Sequence, residues 1–224
     1  MNRIASVAAF CFVSAVFMAG PSAAQTPHTA DHMDHGFSGA EQWAKLFDDP
    51  KRDASQKPRE VINALALKPD SVIADIGSGT GYFAVRFAQM VPKGRVYGVD
   101  IEPDMVKYLA KRAQHEGLKN LTAVMGTPAD PRLPEKADLV VMVNVFHHVA
   151  DRGRYFRNLR ESLKPGGRLA IIDHSVDSRE GAPRSARIAP ERVKAELKSA
   201  GYALVQEHGF LPTQYFLVFR PAAS

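Results

Sequence analysis

The string Asp75-Ile76-Gly77-Ser78-Gly79-Thr80-Gly81 sets glycines at every second position, between an apolar run and a helical pattern with Phe83, Phe87 and Val91 on one side. Glycine there allows a sharp turn and lets a ligand approach the backbone with no β-carbon in the way, while the start of the next helix offers free N–H groups. The spacing is not the Gly-x-Gly-x-x-Gly of a dinucleotide site, and Asp75 would repel a nearby pyrophosphate. A small ligand with an ammonium group suits it better, met partly through water. About 20 residues further on, Asp100 closes the next β-type run, where a carboxylate can accept hydrogen bonds from both hydroxyls of a ribose. Its alternative role is to cap the helix that begins near Pro103, a role also open to Glu102.

A second group of residues could move protons. Asn144-Val145-Phe146-His147-His148 follows another apolar run, and an imidazole titrating near neutrality makes His147 or His148 a candidate general base. Neighbouring side chains are expected to point in different directions, and either histidine could instead cap the following helix. Asp173-His174 closes a later run, either bordering a pocket or solvating a strand end. His28, His32 and His35 could share a helical face and bind a metal with Asp31 or Asp34, or belong to a disordered tract that binds metal only adventitiously. No built metal site is expected. Cys11 is the only cysteine.

The elements that would position these groups alternate. Strands are read at 72–76, 95–99, 121–125, 139–145 and 169–173, with helices at 81–91, 103–115, 152–163 and 190–200 between or after them. Apolar continuity in the strands predicts burial on both faces. Right-handed crossovers then give a parallel sheet with helices on both sides and ligands at the carboxyl ends of the strands. Strands at 202–207 and 215–219 have only a loop between them, which forces an antiparallel pair. Residues 40–67 read as two short helices joined by a Pro-marked loop.

With those residues in view, the chain resembles the class I S-adenosylmethionine-dependent methyltransferases from roughly residue 61 onward. The resemblance implies an α/β, Rossmann-like fold, with a seven-stranded, mostly parallel sheet and an antiparallel C-terminal strand pair. It implies S-adenosyl-L-methionine as cofactor, held by Asp75, Gly77, Ser78, Gly79, Gly81 and Asp100. Ile101 would pack on the adenine ring, with core packing as its other reading. The family's acid for the adenine amino group has no direct counterpart in Gly126-Thr127-Pro128-Ala129-Asp130; either Asp130 reaches in by a bulge or the backbone near Thr127 serves. The stretch from Asn144 to Val149 is similar to the strand end of quinone-biosynthesis and related small-molecule methyltransferases, which lies beside cofactor and acceptor. The string Leu163-Lys164-Pro165-Gly166-Gly167 is frequent in the family as a turn into the fifth strand. Trp43, the string Phe47-Asp48-Asp49-Pro50-Lys51-Arg52-Asp53 and the segment 210–219 resemble an exported bacterial group of methyltransferase-domain proteins. Helices before the sheet commonly form a lid in this fold, so residues 40–67 are its expected place, with Trp43, Phe47 and Tyr215 either walling the acceptor site or packing in the core.

Bulk properties limit the partners. Hydrophobic residues at 45% and charged ones at 24% are ordinary for a globular protein, and the net charge of +5 is interleaved rather than blocked, which argues against nucleic acid. Arg3, the apolar run at 4–19 and Ser22-Ala23-Ala24 read as a signal peptide over residues 1–24, too short and too broken by Gly20-Pro21 to remain as a membrane anchor. Residues 25–39 then form a flexible histidine-containing leader and 40–224 the methyltransferase domain, exported to the bacterial periplasm. The expected function is methyl transfer to a small-molecule acceptor; the competing class is a non-catalytic exported binder or sensor on the same fold. Arsenite is excluded as acceptor because a chain cleaved after residue 24 holds no cysteine, and a catechol-type magnesium site finds only Asn144 and Asp173.

Overall fold

The computed structural model describes residues 39–179 and 181–222. The expected signal peptide, Cys11 and the three leader histidines lie outside the described residues. Three helices come first: α1 (Ala40–Phe47), α2 (Arg52–Gln56) and α3 (Pro58–Ala64). Two were expected; the extra break falls at Lys57, whose left-handed backbone (φ 41°) precedes Pro58 and ends α2. Then follow β1 (Val72–Ile76), α4 (Tyr82–Met90), β2 (Arg95–Asp100), α5 (Pro103–His115), β3 (Leu121–Met125), β4 (Ala137–Val143), α6 (Arg152–Leu159), β5 (Leu163–His174), α7 (Pro190–Ser199), β6 (Tyr202–His208) and β7 (Gln214–Pro221).

The seven strands form one sheet in the order β3-β2-β1-β4-β5-β7-β6. β1 pairs in parallel with β2 and β4, β2 with β3, and β4 with β5, while β7 runs antiparallel between β5 and β6. The fold is therefore the mostly parallel sheet with an antiparallel terminal pair that the pattern predicts. Val61, Phe87, Leu109, Ile172 and Phe216 belong to the apolar layer on one face, and Met142, Phe156, Leu159, Leu197 and Phe219 to that on the other. Burial on both faces holds for β1, which is buried throughout, and nearly so for β4. It fails at the edges: β3 is half open and β6 is largely exposed, with Leu204 at 40% and Val205 at 43%. Each of these strands has a sheet neighbour on one side only.

Only β1 and β3 keep the bounds read in the sequence, and two of the departures have a visible cause. β4 stops at Val143 rather than residue 145, because Asn144 turns into a left-handed conformation (φ 58°). β5 begins at Leu163, ahead of the Pro-Gly-Gly turn, which becomes a bulge: Ala137 pairs with Leu163 and Leu139 already with Arg168. Among the described residues no helix is long and apolar enough to cross a membrane.

Candidate functional site

The carboxyl ends of β1 and β2 are neighbours, and the backbone ties them together. The N–H groups of Gly77 and Ser78 both donate to the Val99 carbonyl, at 2.8 and 3.0 Å. The Gly79 N–H donates to Oδ2 of Asp100 at 2.8 Å, and the Glu102 N–H to its Oδ1 at 3.0 Å. Asp100 thus braces the loop and the start of α5 instead of serving as a helix cap; Glu102 occupies the cap position and makes no side-chain cap bond.

The loop glycines have distinct reasons. Gly77 has φ 70°, and a β-carbon on it would fall 2.3 Å from Cγ2 of Val145. Gly81 has φ 94° and opens α4, where a β-carbon would meet Cδ1 of Leu109 at 2.4 Å. At Gly79 the nearest neighbour is different: the Phe47 ring of α1 lies 3.4 Å from the β-position, so α1 stands over the loop. Trp43 stacks on Phe47, centroids 5.5 Å apart. Phe47 therefore packs over the glycine loop.

Two loop side chains are buried. Ser78 is buried, its Oγ 3.2 Å from the position that a β-carbon on Gly98 would take. Asp75 is only 3% exposed, beneath the loop at the start of α4. Burial, and next the charge of Asp100, push its carboxyl up to about 7, against the pull of the Ala84 N–H. Burial raises the Asp100 carboxyl as well, opposed by the N–H groups of Glu102, Gly79 and Ile101.

Ile101 is 52% exposed, which rules out core packing and leaves an apolar face at the sheet edge; Met125, the register partner of Asp100, is exposed beside it at 38%. After β3, Thr127 and Asp130 close a tight turn through paired backbone bonds, and Asp130 Oδ1 accepts from the Arg132 N–H at 2.7 Å. The Asp130 side chain is exposed on the rim of this turn.

The other half of the site lies at the ends of β4 and β5. Nδ1 of His147 is 3.0 and 2.9 Å from the two carboxylate oxygens of Asp173, and both side chains are 4% exposed. Asp173 also accepts from the backbone N–H of His147 at 3.3 Å and of His174 at 2.8 Å. Asp173 is thus a buried partner, not a solvated strand end. The two histidines do share a direction: they sit in a 3-10 turn with ring centroids 4.1 Å apart. Burial, and then His147, lower the His148 pKa, with Asp173 acting against them. Neither caps α6; Asp151 does, accepting from the Arg154 N–H at 3.1 Å. Beside them Asn144 accepts from Nε2 of Gln214 at 2.7 Å, and Gln214 is buried. Tyr215 faces Asp173 across the sheet, and its hydroxyl is buried without a hydrogen-bond partner.

Sequence reasoning missed Asp173 as a partner of His147, and it missed Gln214. The sequence offered only an acid closing an apolar run; that this run lies next in the sheet to the one before the histidines comes from the structure. Among the described residues no group of three or more His, Cys, Asp or Glu side chains is placed to hold a metal ion.

A family model described as a methyltransferase domain matches residues 67–209. A ubiquinone/menaquinone biosynthesis C-methyltransferase of Shewanella frigidimarina is 26% identical over 125 residues, 54% of this chain and 50% of that protein. An arsenite methyltransferase of Halobacterium salinarum is 28% identical over 155 residues, 63% of this chain and 39% of that protein. The chain spans about half the length or less of these curated relatives. Among solved structures, a SAM-dependent methyltransferase from Aquifex aeolicus superposes with a TM-score of 0.74 at 26% identity, covering 80% of this chain and 97% of that one. Human N-acetylserotonin methyltransferase in complex with SAM shares the fold, with a TM-score of 0.65 at 20% identity over 82% of this chain and 57% of that one.

Proposed function

Because this chain belongs to the methyltransferase-domain family, we propose that it transfers the methyl group of S-adenosylmethionine to a small-molecule acceptor. The observation that carries this reading is the bond from the Gly79 N–H to Asp100, which brings a glycine turn and a hydroxyl-accepting carboxylate to one place. The residues fit the donor. Asp100 retains lone pairs for ribose hydroxyls, Ile101 offers an exposed apolar face to a purine, and the 77–81 loop carries the Phe47 ring over Gly79. Thr127 and Asp130 stand on the next loop for the adenine amino group, and Asn144 at the end of β4 borders both halves of the site. The bound sulfonium supplies an activated methyl on a good leaving group.

The chain itself then has two tasks, alignment and proton handling. Asp173 holds the proton of His147 on Nδ1, which leaves the Nε2 lone pair as the basic position. His147 accepts a proton from the acceptor as the methyl arrives, and Asp173 stabilises the resulting imidazolium. His148, its pKa lowered by desolvation and by His147, stands on the same turn. Arsenite is not the proposed acceptor, since residues 39–222 contain no cysteine to ligate it. The pattern over residues 1–24 supports export to the periplasm, where the donor would have to be supplied.

Isothermal titration of the purified protein with S-adenosylmethionine and S-adenosylhomocysteine is the direct test. Saturable binding of both is expected, and absence of binding to either at high micromolar concentration overturns the reading. Binding without methylated product across a broad acceptor panel would replace the enzyme with a sensor.

A further inference from the structure

The string Phe47-Asp48-Asp49-Pro50-Lys51-Arg52-Asp53 has no part in the scheme above, yet two of its acids tie the α1–α2 segment to the donor loop. Oδ1 of Asp48 accepts from the Thr80 hydroxyl at 3.1 Å and from Arg112 at 2.8 Å. Arg112 also donates to the Thr80 carbonyl at 3.0 Å and to Glu116 at 2.7 Å. Asp53 accepts from the Tyr82 hydroxyl, and from Arg86 at 3.2 Å. The Arg52 guanidinium stands 4.3 Å from the centre of the Tyr82 ring and donates to the Phe47 carbonyl. At the front of α1, the Gly39 N–H donates to Asp104 at 2.9 Å. Asp49 only closes its own turn, accepting from the Lys51 N–H at 2.9 Å.

The partners have one thing in common. Thr80 is in the glycine loop, Tyr82 and Arg86 are on the helix that the loop opens, and Asp104 and Arg112 are on the helix that follows Asp100. Apolar burial does not explain the docking: Ala40 is the one buried residue of α1, and Leu46 is 58% exposed. The ties are partly exposed ion pairs and hydrogen bonds, with Asp53 at 49% and Asp48 at 24% side-chain exposure. Such contacts are individually weak, so the segment is held firmly enough to place Phe47 on Gly79 and loosely enough for a ligand to bias it.

We propose that Asp48 and Asp53 are positioning residues that dock the α1–α2 segment over the glycine loop, so that docking and donor binding strengthen each other. The proposal rests on the donor lying across that loop. Coupling is reciprocal: a bound donor must protect the segment, and loss of the ties must weaken the donor.

The test uses S-adenosylhomocysteine as probe, with titration calorimetry and limited trypsinolysis at Lys51 and Arg52. In the wild-type protein, saturating probe slows cleavage at these sites. Asp48→Ala and Asp53→Ala are each expected to raise Kd about fivefold, and the double variant to lose the protection even at saturation. Should Asp48→Ala fail to fold, Asp48→Asn, which keeps an acceptor for the Thr80 hydroxyl but not the charge opposite Arg112, is read in the same way with a smaller rise. Kd values within about twofold of wild type, or cleavage indifferent to the probe, overturn the proposal. Asp100→Ala in the same series separates the two ideas. If it weakens binding while the Asp48 and Asp53 variants do not, the donor site stands and the docking role falls; if wild type binds nothing, the donor site itself falls.

Discussion

The two oxygens of Asp100 receive N–H groups from Gly79 and Glu102, so its removal takes away a loop anchor and a ligand acceptor together. Asp100→Ala is expected to cost about 1 to 3 kcal/mol of S-adenosylhomocysteine affinity by titration calorimetry. Asp100→Asn, with one acceptor oxygen kept, should cost less; equal affinities for both variants and wild type would remove Asp100 from the site. Asp75 gives a pH signature. With its carboxyl pushed up to about 7 by burial and by Asp100, the folded chain holds this proton more tightly than the unfolded chain does. Its contribution to stability therefore falls as pH rises from the ordinary carboxylate range to about 7, and is level above that. A ligand ammonium is attracted by the ionised form alone, so donor affinity should rise between about pH 6 and 8. Asp75→Asn should flatten that rise and make the protein more stable than wild type at the upper end; calorimetry at both ends of the range checks the two effects. At the acceptor end, His147→Ala should lower kcat by about 10² to 10⁴ with donor affinity retained, and Asp173→Asn should follow it because the Nδ1 proton loses its partner. A turnover rate unchanged in His147→Ala would leave the pair a purely structural one. The Asp173 pairing was illegible from the sequence for a plain reason: a strand pattern tells where an apolar run stops, not which side chain faces its last residue from the next strand.

Elements were read well where punctuation and period agreed. α5 has Pro103 at its first turn and β1 has an unbroken apolar run before the glycines, and both have the bounds the sequence implies. β4 ran too long in the reading because Val143-Asn144-Val145 continues the apolar pattern, while the turn at Asn144 is made by φ, which side-chain type signals only weakly. The bulge at the start of β5 was hidden because Pro-Gly-Gly reads as a turn wherever it stands. Donor-loop geometry was legible as glycines but not as neighbours, since Leu109 and Val145 come from distant segments. That makes a prediction at this scale. Gly81→Ala must place a β-carbon against Leu109 in a left-handed conformation and should lower stability by about 1 to 3 kcal/mol in chemical denaturation. Measured against Leu109→Ala alone, the same glycine substitution should cost less, because the contact is gone, yet still cost something, because the backbone strain remains; a cost of zero in that background would contradict the strain.

At the scale of the molecule, composition and strand order were enough to give the class, because alternating strands and helices admit few topologies. The acceptor was not legible, since no residue period encodes which loop side chains would wall a pocket. A ligand that binds only the folded chain raises its melting temperature with concentration; at about a hundred times Kd, S-adenosylhomocysteine should add about 2.7 kcal/mol, seen by calorimetry as an upward shift of several degrees. A melting temperature indifferent to the probe would contradict folded-state binding. Finally, β7 follows β6 in the chain yet lies between β6 and the rest of the sheet. β6 has β7 as its sole sheet neighbour, so it has no template until β7 has been made. The two must dock as a hairpin, late in synthesis, and the same event brings Gln214 to Asn144 and Tyr215 opposite Asp173. A nascent chain arrested before residue 214 would already hold the glycine loop and Asp100 and would still lack the strand that lies beside Asp173.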